Sequence, residues 1–232
     1  MSFQIDYSLT VFSSKGTLEQ CDNALMAGLN GSLSVGMASG DGCVIASLKK
    51  FPLLVEKQNL RKVFKVCENI GVTFSGLQMD FRILLKKMLK MVEDYKEIYG
   101  KYPYVDVFVQ NLSRIFQEYT QKAGYRPLGL LVLIVGNTSE GSFLYQMEPS
   151  GSFRCTEFCA IGKDYSEALK FLERRREKLE DNIVTAIHSI REYSGSEINC
   201  DDVDVGILQN GKFTVIERDE LNDIFSMHNL EK

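Results

Sequence analysis

Two hydroxyls open the most apolar early stretch of the chain, Ser32 and Ser34 in "GSLSVGM" (31–37). A serine becomes a nucleophile only when a base takes its proton. A chain whose first residue carries the hydroxyl has that base built in, as its own free amine. Here thirty-one residues precede Ser32, so the chemistry turns on whether they are kept. Cys155 and Cys159 are the only close pair among six cysteines, and no histidine or second pair completes a zinc site around them. His188 and His228 assemble with no acid and nucleophile into a triad. His188 falls on the solvent side of an amphipathic pattern. "ERRREK" (173–178) reads as a charged helix face, with a nuclear localisation signal as the alternative. Lys49-Lys50 is a weaker basic pair. No metal site and no cofactor are expected.

Composition removes whole classes of function. The apolar share is 44%, the charged share 25% and the net charge −4, so no nucleic-acid partner is expected. The longest apolar run, "LGLLVLIVG" (128–136), is half of the roughly 18 residues a membrane span needs, and no membrane association is expected. "MSFQIDYSLT" lacks the basic and apolar regions of a signal peptide. The six thiols read as reduced, in the cytoplasm or nucleus.

These side chains need elements to hold them. Residues 3–11 alternate apolar and polar, which predicts an extended arm. After the "SSKG" turn, Thr17 and Gln20 form a capping-box pattern for a helix ended by Gly31, with Leu18, Cys21, Leu25 and Leu29 on one stripe. Strands "SLSVGMA" and "CVIASL" flank Gly40-Asp41-Gly42, a hairpin signal. Further strands are predicted at 62–66 and 70–75. A long helix runs from Leu77 to Gly100, with Phe81, Leu84, Leu85, Met88, Val92, Tyr95 and Tyr99 at helical spacing and Asp80 in its first turn. A second helix follows Pro103 and ends at Gly124. Strands resume at 128–135, 142–147, 152–155 and 158–161. Asp164 and Glu167 give a second capping-box pattern, and a further helix carries Ile183, Ile187 and Ile190. A hairpin around Asn210-Gly211 and a helix at 218–226 finish the chain. Antiparallel runs of strands with helices in pairs predict two packed sheets, helices on both outer faces, in one domain over 1–232.

Several segments resemble one family in its order. "SLTVFSSKGTLEQCDNALMA" resembles the opening segment of proteasome α-type subunits. "SGLQMDFRILL" resembles their Ser-Gly-Leu-x-x-Asp-x-Arg helix start, and "QEYTQKAGYRPLGLLVLIVG" their Tyr-Thr-Gln-x-x-Gly-x-Arg-Pro-x-Gly run. "LYQMEPSGSF", "AIGKDYSEALKFLERR" and "LEDNIVTAI" extend the match, which covers about residues 6–208. "YSLTVFS" and "KFLERR" resemble one of the family's seven types more than the others.

The resemblance implies an α+β fold, the four-layer αββα sandwich of N-terminal-nucleophile (Ntn) hydrolases. Residues 1–31 would form a gate arm and helix, and 32–232 the sandwich. It implies a non-catalytic subunit of the outer heptameric ring of the 20S core particle, which gates substrate admission in ubiquitin-dependent degradation. Its partners would be neighbouring α subunits, β-ring subunits and the C-terminal tails of activators. Ser32 falls where catalytic relatives begin with threonine, and Lys62 matches their lysine. Leu48 stands where they carry an aspartate, so the ammonium loses its carboxylate. The activator-tail pocket maps to Gly31, Lys62 and Leu77, with a surface Lys62 paired to an acid such as Glu68 as the plainer reading. In the gate arm, Ile5-Asp6-Tyr7 stands for the family's Tyr-Asp-Arg, leaving Asp6 as the match beside Tyr7. Ser14 and Asn23 replace a proline and a tyrosine. The rival readings are an active Ntn peptidase beginning at Ser32 and a free-standing adaptor with a dead Ntn fold.

Overall fold

The computed structural model describes residues 11–51, 55, 60–175, 179–195 and 198–228. The expected arm strand lies outside these residues except for Val11, which is exposed.

Among the described residues, apolar and alternating runs form ten strands in two antiparallel sheets. One sheet has the order β10-β9-β2-β1-β8: β1 (Ser34–Ser39), β2 (Gly42–Leu48), β8 (Phe158–Ile161), β9 (Val203–Gln209) and β10 (Lys212–Val215). The other runs β3-β4-β5-β6-β7: β3 (Val63–Cys67), β4 (Ile70–Gly76), β5 (Leu130–Asn137), β6 (Ser142–Met147) and β7 (Phe153–Thr156). Both hairpins come at the expected places. At the second, Asn210 and Gly211 both have positive φ, 51° and 73°, the primed-turn conformation that Asn-Gly favours.

Three cores separate four layers. Helices α2 (Gln78–Tyr99) and α3 (Val105–Gln121) pack on the β3–β7 sheet through Phe81, Leu84, Met88, Phe108, Leu112 and Phe116. Helices α4 (Tyr165–Glu173) and α5 (Leu179–Tyr193), with α6 (Arg218–Met227), cover the other sheet. Between the sheets lie Cys43, Ile45, Leu131, Leu133, Val135, Leu144 and Phe213. "LLVLIV" shows why the pattern reads as one apolar run: Leu131, Leu133 and Val135 serve the middle core, while Leu130, Val132 and Ile134 serve the helix side. The αββα sandwich is therefore the fold.

Local expectations fail where side chains compete for partners. Helix α1 (Glu19–Leu29) has Leu18 at its N-cap and no side-chain cap. Thr17 instead bonds Ser13: their hydroxyls lie 3.0 Å apart, and the Thr17 amide donates to Ser13 Oγ at 3.3 Å. Asp164 caps α4 by position only. Its φ of 60° is left-handed and its carboxylate makes no cap bond, because a capping side chain needs an extended N-cap backbone. α4 also ends at Glu173, so Arg174 and Arg175 stand past the helix and not on its face. The rest of "ERRREK", 176–178, lies outside the described residues. Tyr99 is exposed, and β5 starts two residues later than expected, for a reason given below.

α1 closes one end of the sandwich against β4 and β5, burying Ala24 and Gly28. Ser75 donates its hydroxyl to the Gly28 carbonyl at 2.9 Å, satisfying one of the orphan acceptors at the helix end. The contact is backbone on backbone. A Cβ on Gly31 would stand 2.1 Å from the Gly76 nitrogen, and one on Gly76 would stand 2.3 Å from the Gly129 oxygen. Only glycine permits this approach.

Candidate functional site: a cleft at the head of β1

The backbone leaves α1 at Gly31, passes Ser32 and enters β1, forming one wall of a cleft of about 600 Å³. Gly31, Ser32, Leu33, Leu48, Lys62, Gly76 and Gln78 line it, facing Lys163, Asp164 and Tyr193. Gly31 and Lys62 thus share one cavity. Leu77 is exposed and stands outside the described lining, between Gly76 and Gln78. It forms the N-cap of α2. Asp6 and Tyr7 lie outside the described residues, as does Ile5. Ser14 and Asn23 are exposed.

Lys62 is only 6% exposed. Its ammonium sits 3.9 Å from the centre of the Phe74 ring, a cation–π contact. No carboxylate among the described residues lies within ion-pair distance of it. Glu68, the acid suggested by sequence proximity, is exposed. Burial pushes the Lys62 ammonium down to about 8, against the opposing pull of Asp204. Asp204 is occupied elsewhere. It pairs with Lys49 at 2.8 Å, both side chains being largely buried, and it accepts the Lys62 backbone amide. This pairing was invisible in the sequence, since Lys49 and Asp204 meet only through the β2–β9 register, where Leu48 faces Val203.

The two opening serines have different fates. Ser34 is fully buried, its hydroxyl 2.7 Å from that of Ser47 across the β1–β2 pair, and it donates to the Phe74 carbonyl of the other sheet at 3.3 Å. That is a bond between layers. Ser32 is half-buried in the cleft wall, joined to Gly31. The Gly31 carbonyl accepts the Lys163 amide at 2.9 Å, so the bond that would have to be cut is tied into the opposite wall. Without a free amine Ser32 lacks its base, and Leu48 lines the cleft where a carboxylate would have to hold Lys62.

Asp80 holds the floor of this end together. It is 5% exposed, and both its oxygens accept from Arg126, at 2.6 and 2.8 Å. Its Oδ2 also accepts the Gly129 amide at 2.9 Å. Burial raises its pKa, but the Arg126 and Gly129 hydrogen bonds and the Arg126 charge outweigh that and leave it lowered. This clamp occupies the Gly129 amide, and β5 begins only at Leu130. The dipole of α2 favours an anion at Asp80, and its partner Arg126 comes from a distant loop.

The remaining chemistry-bearing residues stay apart. Cys155 is exposed and Cys159 buried, the latter donating to Gln146 Oε1 at 3.0 Å. Among the described residues no group of three or more His, Cys, Asp or Glu could hold a metal ion. No helix among them is long and apolar enough to cross a membrane. His188, expected on the solvent side, is half-buried: burial, then Arg191, Arg175 and His228, lower its pKa, while Glu192 opposes them.

An αββα sandwich with a residue-lined cleft at the head of β1 defines the class of protein. The family model "Proteasome subunit" matches residues 29–208, and the chain belongs to the proteasome subunit family. It is 37% identical over 225 residues to a "Proteasome subunit alpha type-2" of Oryza sativa subsp. indica, covering 95% of this chain and 96% of that one. It is 37% identical to "Proteasome subunit alpha type-2-A" of Arabidopsis thaliana at the same coverage. It is 34% identical over 227 residues to the alpha type-2 subunit of Dictyostelium discoideum, covering 96% and 98%. "YSLTVFS" and "KFLERR" point to this same type.

Proposed function

We propose that the chain is a non-catalytic α-ring subunit of the 20S proteasome core particle. It sits in the outer heptameric ring, against neighbouring α subunits and the β ring. There it helps gate substrate admission and receives activator tails in ubiquitin-dependent protein degradation, in cytoplasm and nucleus. The supporting observation is the Gly31–Ser32 connection. Its helix is docked on the sandwich through Ser75 and Gly76, and its carbonyl is held by Lys163. Cutting there would remove a helix packed on β4 and β5 and not a loose propeptide. In this reading Gly31 and Lys62 form this chain's half of a tail pocket with Leu77 beside it, and Asp6 and Tyr7 belong to the gate arm.

The test is intact-mass spectrometry of the chain in purified particles, together with peptidase assays. The expected mass retains residues ahead of Ser32, and Ser32→Ala leaves peptide hydrolysis unchanged. A mature terminus at Ser32, with activity lost in Ser32→Ala, would refute the proposal in favour of an active peptidase. A native mass showing the chain outside any large particle would favour the adaptor.

A further inference from the structure

The cleft carries more positive charge than one carboxylate needs. Lys62 lies deep in it, buried and without a carboxylate partner among the described residues. Lys50 and Lys163 also line it, and both are exposed, so they stand at its mouth. Among the described lining residues Asp164 is the one acid. Asp204, the acid whose charge acts on Lys62, is taken by Lys49 and by backbone amides. Helix α4 starts in the same wall with no side-chain cap, so its positive end adds to the field.

We propose that this cleft selects peptide C-termini bearing a second negative charge. The terminal carboxylate meets Lys62, and an acidic side chain one or two residues earlier meets Lys50 and Lys163. This rests on the reading of the cleft as a tail pocket. A compact ammonium at depth suits a single carboxylate. Two flexible ammoniums at the mouth suit an acid whose exact position along the tail varies. Their pairs are solvent-exposed, so the selectivity is modest and falls with salt.

The experiment uses assembled particles in which only this chain is varied. Two fluorescein-labelled peptides of equal length, with Glu or Gln at both positions before the last residue, are titrated by anisotropy. The Glu peptide is expected to bind about 5-fold more tightly at low salt. The difference should disappear at about 0.5 M salt and in the double variant Lys50→Gln, Lys163→Gln. Amidating the C-terminus, or Lys62→Met, should weaken both peptides. Equal binding of the two peptides, with both still dependent on Lys62, would overturn the selectivity and leave the tail pocket standing. Binding indifferent to Lys62 and to the C-terminal carboxylate would overturn the pocket itself, and the selectivity with it.

Discussion

Replacing Lys62 by methionine should make the protein more stable. The lysine is 6% exposed and its pKa falls from 10.5 to about 8. That drop corresponds to roughly 3 kcal/mol of disfavoured charge at neutral pH. The Phe74 face returns about 1–2 kcal/mol of it, and a methionine stem keeps the packing and adds a sulfur–aromatic contact. The net gain expected for Lys62→Met at pH 7 is about 1–3 kcal/mol. The pH dependence has a definite sign. Below pH 8 folded and unfolded chains both hold the proton, and the penalty is complete. Between pH 8 and 10.5 the unfolded chain holds more protons, so wild-type stability rises relative to the variant. Above 10.5 the difference has closed. Urea unfolding of both full-length chains from pH 6 to 11 measures this, and their difference cancels the tyrosines and cysteines that titrate in the same range. A variant that is less stable than wild type, or a difference that does not change between pH 8 and 10.5, would show that Lys62 is not a desolvated cation.

Asp80→Ala should cost about 1–4 kcal/mol in urea unfolding: the Gly129 amide loses its acceptor at about 1–3, and the pair with exposed Arg126 adds no more than about 1. Because folding lowers the Asp80 pKa, its contribution is present above about pH 4 and lost as pH falls through the folded value; Asp80→Asn should recover the Gly129 bond alone. Gly31→Ala must shift the backbone against Gly76 and Ser75 and should destabilise by at least about 1–3 kcal/mol; an unchanged urea midpoint would contradict the close approach. Iodoacetamide at pH 8 should label exposed Cys155 in the native chain and spare Cys43 and Cys159 until unfolding, since burial pushes both up to about 12; early labelling of Cys43, read by peptide mass, would refute that burial.

The elements that sequence could place are those with a strong period. "LGLLVLIVG" and the stripe from Phe81 to Val92 are marked by an unbroken apolar run and by 3.6-residue spacing, and each gives the expected element, β5 starting two residues late. Gly31, Ser32 and Lys62 reached one cavity because a resemblance supplied their relation; no spacing in the sequence relates residue 31 to 62. What remained illegible was partner choice. Thr17 and Asp164 carry good capping side chains, yet one bonds Ser13 and the other adopts a left-handed backbone. Asp80–Arg126 and Lys49–Asp204 join residues 46 and 155 positions apart, and only the assembled sheets bring them together. Glu68 is near Lys62 along the chain and still not its partner, because the two stand at opposite ends of β3, roughly 20 Å apart at the rise of an extended strand.

The glycine contacts at the end of the sandwich also bear on how force travels. Backbone atoms of Gly28 and Gly31 lie directly against Gly76, and Gly76 lies against Gly129, with only the short Ser75 hydroxyl in the joint. A cushion of rotamers absorbs displacement; a bare backbone joint transmits it. A pull on the segment ahead of α1 would therefore arrive undamped at Gly31 and Lys163 and alter the width of the cleft beside Lys62. Filling the cleft would stiffen the helix in return. Helix α1 is in this sense the arm of a lever, and Gly31, Gly76 and Gly129 are its fulcrum.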